Sequence, residues 1–253
     1  ESMQHAVYPD NTYGLDSGGD PEQIPDLTYA AFKDFHTRFY HPSNARVFFY
    51  GDDAPEKRLE LIDAYLRDFE ASDADSGVAL QAARPAPVRI SVPYEVSAGG
   101  EEPKALISLG WLLPEGRDPE LVLGLSILEH ILAGTPASPL RKALIDSGLG
   151  EDLTGSGLET GMRQMSYSIG MKGVRQENTA AVETLIADTL ARLAREGIDP
   201  ATVAASLNTV EFQLREMNTG SYPRGLIVML GALNTWLYDG DPYAALRIDA
   251  PLA

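Results

Sequence analysis

Three phenylalanines, Phe32, Phe35 and Phe39, recur at spacings of three and four within the stretch Tyr8 to Asp52. That spacing sets them on one helix face. Thr28 stands where an N-cap belongs. His41-Pro42 ends the helix, because the residue before a proline is pushed out of the α region. The apolar, aromatic run Ala45 to Tyr50 (ARVFFY), closed by Gly51-Asp52, then predicts a short strand buried in a sheet. Ahead of the helix, Asn11 to Pro25 reads as loop, with Gly18-Gly19 supplying backbone freedom. Residues 1 to 7 read as the end of a helix.

Beyond this stretch, Pro55 to Phe69 predicts a second amphipathic helix, with Leu59, Ile62, Leu66 and Phe69 on one face. Residues 70–87 are rich in Ser, Ala, Asp and Pro without periodicity and read as a linker. Val88 to Val96 alternates like a half-buried strand, and Pro93 favours an edge position. Ala98 to Pro103 turns, and Lys104 to Leu113 follows as a more apolar strand. Asp118-Pro119 is a cap-and-first-turn pair opening a helix to about Ala133. Ser138-Pro139 caps another helix, which Gly148 stops as a left-handed residue. Strands near Glu151 to Glu159 and Gln164 to Gly173 lead into a helix from Thr179 to Glu196, with Val182, Leu185, Ile186, Leu190 and Leu193 inward. Helices over Pro200 to Met217 and Pro223 to Tyr238 complete the chain. This order predicts an α+β protein, layers of helices on a mainly antiparallel sheet.

At 253 residues the chain is long enough to bury a substantial core. Asp and Glu number 37 against 20 Lys and Arg, a formal charge of −17. That balance disfavours nucleic acid as a partner, since its binding needs a basic surface, and permits attraction to basic peptides. With no cysteine there is neither a disulfide framework nor a thiolate metal site. No apolar run approaches the ~18 residues needed to cross a bilayer. The first residues lack the basic start and apolar core of a signal peptide. The chain opens without Met and inside what reads as a helix, as an internal fragment of a longer protein would.

NTYGLDSGGDP followed by LTYAAFKDFHTRFYHPSNARVFFYGDD resembles the presequence-protease branch of the pitrilysin/insulinase zinc metallopeptidases, and ASPLRKALIDSGLGEDL extends the likeness more loosely. The resemblance implies a metallopeptidase or mitochondrial-processing-peptidase-like fold. It implies the C-terminal part of a catalytic-type domain and a following helix over 1–69, a linker over 70–87, a second, non-catalytic α+β domain over 88–217, and the start of a helical connector over 218–253. It implies a zinc-dependent peptidase acting on unfolded peptides in an enclosed chamber, with zinc in the parent protein and none bound by this chain. The other half of the same polypeptide is then a partner, and neither nucleic acid nor membrane is. Tyr13, Asp16 and Gly18 are expected near the chamber wall. The compartment is bacterial cytoplasm by preference, with an organelle as the alternative. A catalytically inactive scaffold or peptide-binding subunit of the same fold is the competing function.

The family's metal motif, H-x-x-E-H, places two His ligands on one helix face with a Glu to activate the zinc-bound water. The nearest match is Ser126-Ile127-Leu128-Glu129-His130, with a serine where the first ligand belongs. A hydroxyl is a poor zinc ligand and one histidine does not hold the metal, so this is expected to be a structural helix with Glu129 and His130 at a surface or between domains. His36 and His41 lie off a common face. Asp73, Asp75 and Gly77 lack the remaining positions of a calcium loop, and Asp239 to Pro242 fits a turn. Gly18-Gly19 lacks the lysine of a phosphate loop. No nucleophile elbow is present. The strands around Val88 to Leu113 offer an edge for extended peptide, though pairing within their own sheet is the simpler expectation.

Overall fold

The computed structural model describes residues 2–94, 104–155, 157–217 and 219–247. Its centre is an antiparallel sheet in the order β1-β4-β2, with β3 also against β4. β1 (Lys104–Glu115) runs along β4 (Gln164–Arg175) from Lys104 opposite Arg175 to Glu115 opposite Gln164. On its other edge β4 pairs with β2 (Asp152–Leu153) and β3 (Gly157–Glu159).

Alternation along the strands separates two faces. Ile107, Leu109 and Trp111 of β1 stand opposite Met171, Ile169 and Tyr167 of β4, and this face meets the helices. α4 (Pro119–Ala133) contributes Leu132, α5 (Pro139–Asp146) contributes Leu140 and Leu144, and α6 (Thr179–Glu196) contributes Val182, Ile186 and Leu193. The buried positions of α6 fall at spacings of four, three and four through Thr189, as one helix face requires. Leu185 and Leu190 flank them, partly buried. α7 (Pro200–Glu216) and α8 (Arg224–Trp236) follow, each with a narrower buried stripe. The opposite face of the sheet is crossed by α1 (Ser2–Val7), whose Met3 and Val7 lie over Gly110.

Several helix ends form as the sequence predicts. Thr28 accepts a hydrogen bond from the Ala31 N–H at the start of α2 (Tyr29–Phe39). Asp118 accepts from the Glu120 N–H with Pro119 at the first helical position of α4. Gly148 takes a φ of 63° just beyond α5, a conformation open to glycine at no steric cost. Ser138 departs from expectation. Its hydroxyl makes no bond into α5; it accepts from the Thr135 N–H and donates to the His130 carbonyl, so it ties the end of α4 to the start of α5.

The N-terminal section differs in packing. α2 forms, and so does α3 (Pro55–Leu66), but neither contains a buried residue. Phe32 and Phe35 are each 57% exposed, so the aromatic face of α2 has no layer against it among the described residues. Ala45 to Tyr50 joins no strand ladder, and Val47, Phe49 and Tyr50 are exposed. The predicted buried strand is therefore corrected. A strand exists only where a neighbour answers its backbone groups, and no strand among the described residues runs beside this segment. The same correction holds for residues 88–94 of the predicted strand Val88 to Val96, whose apolar positions stay exposed. Residues 95 and 96, and the predicted turn to Pro103, lie outside the described residues. The single strand predicted over Glu151 to Glu159 is divided into β2 and β3. Gly157, with a φ of 146°, re-aims the chain there in a way that side-chain-bearing residues rarely follow.

Leu144 is fully buried at the meeting of α5 with the sheet. Leu144→Ala is expected to cost roughly 2–5 kcal/mol of unfolding free energy, read as a lowered urea midpoint with an unchanged slope. Burial, with a smaller contribution from the Glu129 carboxylate, pushes the Tyr167 phenol up to about 12. The fold therefore favours the neutral phenol. That stability is present below the ordinary tyrosine value of about 10 and is lost as pH rises through the folded value. Ultraviolet titration should show late-ionising tyrosines whose ionisation coincides with alkaline loss of tertiary structure, and Tyr167→Phe should reduce their number by one.

Candidate functional site

The loop after α1 carries the residues the sequence singles out. Asn11 opens a short 3-10 turn (Thr12–Gly14) and accepts from the Tyr13 N–H. Gln4 donates to the Tyr13 carbonyl at 2.6 Å. Tyr13 therefore points inward, edge-on to Tyr8 with ring centres 5.6 Å apart. Asp16 lies beyond this turn. One of its carboxylate oxygens accepts from the Gly18 N–H at 2.8 Å and its carbonyl accepts from the Gly19 N–H. This is an aspartate turn of the kind that needs no ligand to explain its glycines. Asp16 and Gly18 are exposed; Tyr13 is half-buried. The structure thus separates the three predicted residues, with one in a packed junction and two on an exposed turn.

The junction around Tyr13 is polar and joins distant parts of the chain. Tyr8 is 1% exposed and donates to the Gln164 carbonyl at 2.7 Å. The phenol oxygens of Tyr13 and Tyr238 are 2.6 Å apart, and the Arg163 backbone N–H donates to the Tyr13 hydroxyl at 3.2 Å. Arg163 also reaches the Glu115 carboxylate at 3.0 Å and the Val78 carbonyl. Arg117 approaches the same Glu115 oxygen, also at 3.0 Å. Gln81 is buried and exchanges hydrogen bonds with Asp10 and with Gln164. Arg84 donates to the Ala6 carbonyl. Residues 70–87 contain no helix or strand, but from Val78 to Arg84 this stretch is pinned to both α1 and the sheet. Burial, and the bond to Tyr13, hold the Tyr238 phenol above its ordinary range.

Sequence reasoning missed Tyr8, Gln81, Glu115, Arg163 and Tyr238. Their only signal is a polar side chain in an apolar or Ala-rich setting, which gives no partner. The chemistry of the set is positional. It contains no nucleophile with a base beside it, and the Glu115 carboxylate is held between two guanidiniums, those of Arg163 and Arg117.

The serine-for-histidine motif sits on α4. The Ser126 hydroxyl donates to the Val122 carbonyl one turn back, at 2.8 Å. Glu129 and His130 are half-buried, and His130 Nδ1 is buried without a hydrogen-bond partner, packed in the last turn of α4 beneath Gly134. The structural helix expected here is formed, with Glu129 and His130 neither fully exposed nor fully buried. A ligand set of one histidine and a serine committed to the helix backbone does not fit zinc. His36 stacks on Tyr40, and His41 Nδ1 accepts from the Ser43 N–H and contacts the Ser72 hydroxyl. Among the described residues no three His, Asp or Glu side chains converge as metal ligands. None of the described helices is long and apolar enough to cross a membrane.

A surface groove of about 370 Å³ lies between the 49–53 segment and α3, lined by Phe49, Tyr50, Asp53, Arg58, Leu61, Ile62 and Tyr65. Arg58 hydrogen-bonds both oxygens of Asp53 and holds that carboxyl down at about 2. An acid fixed in its ionised form by a salt bridge is unsuited to proton transfer near neutral pH.

Comparison with known proteins places this arrangement. The profile of the peptidase M16 inactive domain matches residues 26–210. Presequence protease 1, chloroplastic/mitochondrial, of Arabidopsis thaliana is 50% identical over 98% of the chain, and 38% identity over 99% relates the chain to protein HypA of Clostridium perfringens. The chain spans 23% and 26% of the lengths of these two relatives. The crystal structure of a peptidase M16 inactive domain from Pseudomonas fluorescens superposes with a TM-score of 0.67 at 20% identity, over 94% of this chain and 56% of that one. This agreement extends to the α+β layering of helices on an antiparallel sheet. The chain belongs to the peptidase M16 family.

Proposed function

We propose that the chain is an internal part of a zinc-dependent metalloendopeptidase that degrades unfolded peptides in an enclosed chamber. The metal ligands then come from a part of the polypeptide outside residues 1–253. The observation that carries this reading is 50% identity, across nearly the whole chain, with a protein named a presequence protease. The α4 motif supports it from the other side, since Ser126 and His130 are built into helix packing. Zinc, when bound in the parent, supplies an activated water; no residue of this chain is assigned to that step.

Within this reading the chain is divided as the sequence suggests. Residues 1–69 end a catalytic-type domain, 70–87 link, 88–217 form a second, non-catalytic domain, and 218–253 begin a helical connector. The exposed apolar faces of α2 and α3 beside the closed core of α4 to α6 support that division. Asp16 and Gly18, on their exposed turn, are the chamber-wall residues. Tyr13 holds the turn in place. The acidic balance of the chain favours basic peptides as substrates. Bacterial cytoplasm is the preferred compartment, and the organellar names of several relatives supply the alternative.

The purified chain is expected to leave an unfolded peptide intact and to bind no zinc by titration calorimetry. Chelator-sensitive cleavage by the chain alone would overturn the assignment. The parent, expressed from the complete coding sequence, is expected to cleave the same peptide and to lose activity in chelator. An inactive parent with an intact fold would make it a scaffold or peptide-binding subunit instead. In the active parent, Asp16→Ala should raise KM for a basic peptide by about two- to fivefold with kcat little changed, the scale of one exposed charge contact. An unchanged KM would remove Asp16 from the chamber wall.

A further inference from the structure

α8 lies against the N-terminal section at three places. Gly225, near its start, lies so close to Tyr50 that a Cβ there would stand 2.6 Å from the ring and 2.9 Å from the Tyr50 Cβ. Trp236, at its end, receives the Arg46 guanidinium 5.6 Å from its ring centre. Two residues later, Tyr238 meets Tyr13. α8 is otherwise lightly held. Its buried stripe is Ala232 alone, while Leu226, Leu230 and Leu237 are exposed. α6, by contrast, buries four side chains in the core.

The three contacts differ in kind. The first is close packing against a side chain with no room beside it, and the second is an exposed cation–π contact. The third is a half-buried phenol pair whose Tyr13 oxygen also accepts from the Arg163 N–H, in the turn between β3 and β4. Arg163 is itself fixed by Glu115 and Val78. Three separate chain regions therefore converge on one oxygen: the turn at 12–14, the turn at 161–163 and the end of α8.

We propose that α8 is a strap across the N-terminal section, and that the Tyr13–Tyr238 phenol pair is its catch. Closed, the catch holds residues 12–16 and the end of α8 on the β3–β4 turn. Opened, it frees both while the sheet and α4 to α6 stay intact. A single net hydrogen bond is weak enough to open locally without global unfolding. This inference stands apart from the peptidase reading, because it concerns contacts inside the chain and needs neither metal nor peptide.

Amide hydrogen exchange of the 253-residue chain, followed by mass spectrometry, tests it. Tyr238→Phe keeps the ring and removes one hydroxyl. It is expected to raise exchange about five- to tenfold over residues 12–16 and 232–243, with β4 and α6 unchanged. Tyr13→Phe should do the same; it also releases the Arg163 N–H, as Tyr238→Phe releases the Gly161 carbonyl. The double variant should therefore exceed either single one by less than the two effects combined, because the phenol–phenol bond is shared. Gly225→Val should raise exchange at 46–50 and leave 12–16 protected, which separates strap from catch. The proposal is overturned by unchanged exchange at 12–16 in Tyr238→Phe, by fully additive effects in the double variant, or by an equal rise across β4.

Discussion

Everything else in the chain depends on β4 being paired on both edges. A strand in that position has its backbone groups answered by β1 on one side and by β2 and β3 on the other, so its side chains alone decide what lies above and below. Ile169, Met171 and Val174 are fully buried from that strand, and α5 and α6 supply their covering in Leu140, Leu144, Val182 and Ile186. Burial on that scale, at about 25 cal/mol per Å² of apolar surface, is the main driving force for the fold. The polar junction around Tyr13 is built on the end of the same strand, through Arg163 and Gln164. The junction residues are therefore positioned by the core, and Tyr8 and Gln81 are themselves buried.

Packing divides the chain unevenly. From β1 to α6 each amphipathic element finds its layer. In α2, the 45–50 segment and α3 the chain forms its structure locally and then presents apolar side chains outward. α2 shows the difference well, since its cap, its stop and its aromatic stripe are all in place, yet no side chain is buried. Local signals are sufficient for a helix, because all its backbone bonds are internal. They are insufficient for a tertiary face, which needs a partner of matching shape.

That distinction also explains what was legible in the sequence. Thr28, the Asp118-Pro119 pair and Gly148 could be read because each acts on residues two or three positions away. β1, β4 and the inward face of α6 could be read because period and burial coincide there. ARVFFY and the alternating run from Val88 were readable only as segments suited to a sheet; whether a sheet meets them is a property of other parts of the chain. The junction was illegible for a stronger reason. Tyr13 and Tyr238 are 225 positions apart, and Gln81 and Gln164 are 83 apart, with nothing in either residue's neighbourhood to name the other. The metal motif was legible as a departure, since Ser126 stands where a ligand would, and the structure supplies its alternative employment in the helix backbone.

Gln81 changes how the stretch between the two sections should be regarded. A run of Ala, Ser, Asp and Pro suggests a tether whose length can drift, yet one glutamine in its middle bonds to Asp10 on one side and Gln164 on the other. Before Val78 the ties, from Ser72 and Ser76, run to residues 41–44 and not to the sheet. Between Val78 and Arg84 the spacing is fixed, because one added residue would carry the Gln81 amide out of reach of both partners. Insertions accepted over evolution, and split points chosen for expressing the sections separately, should therefore fall on either side of this pinned turn and avoid its interior.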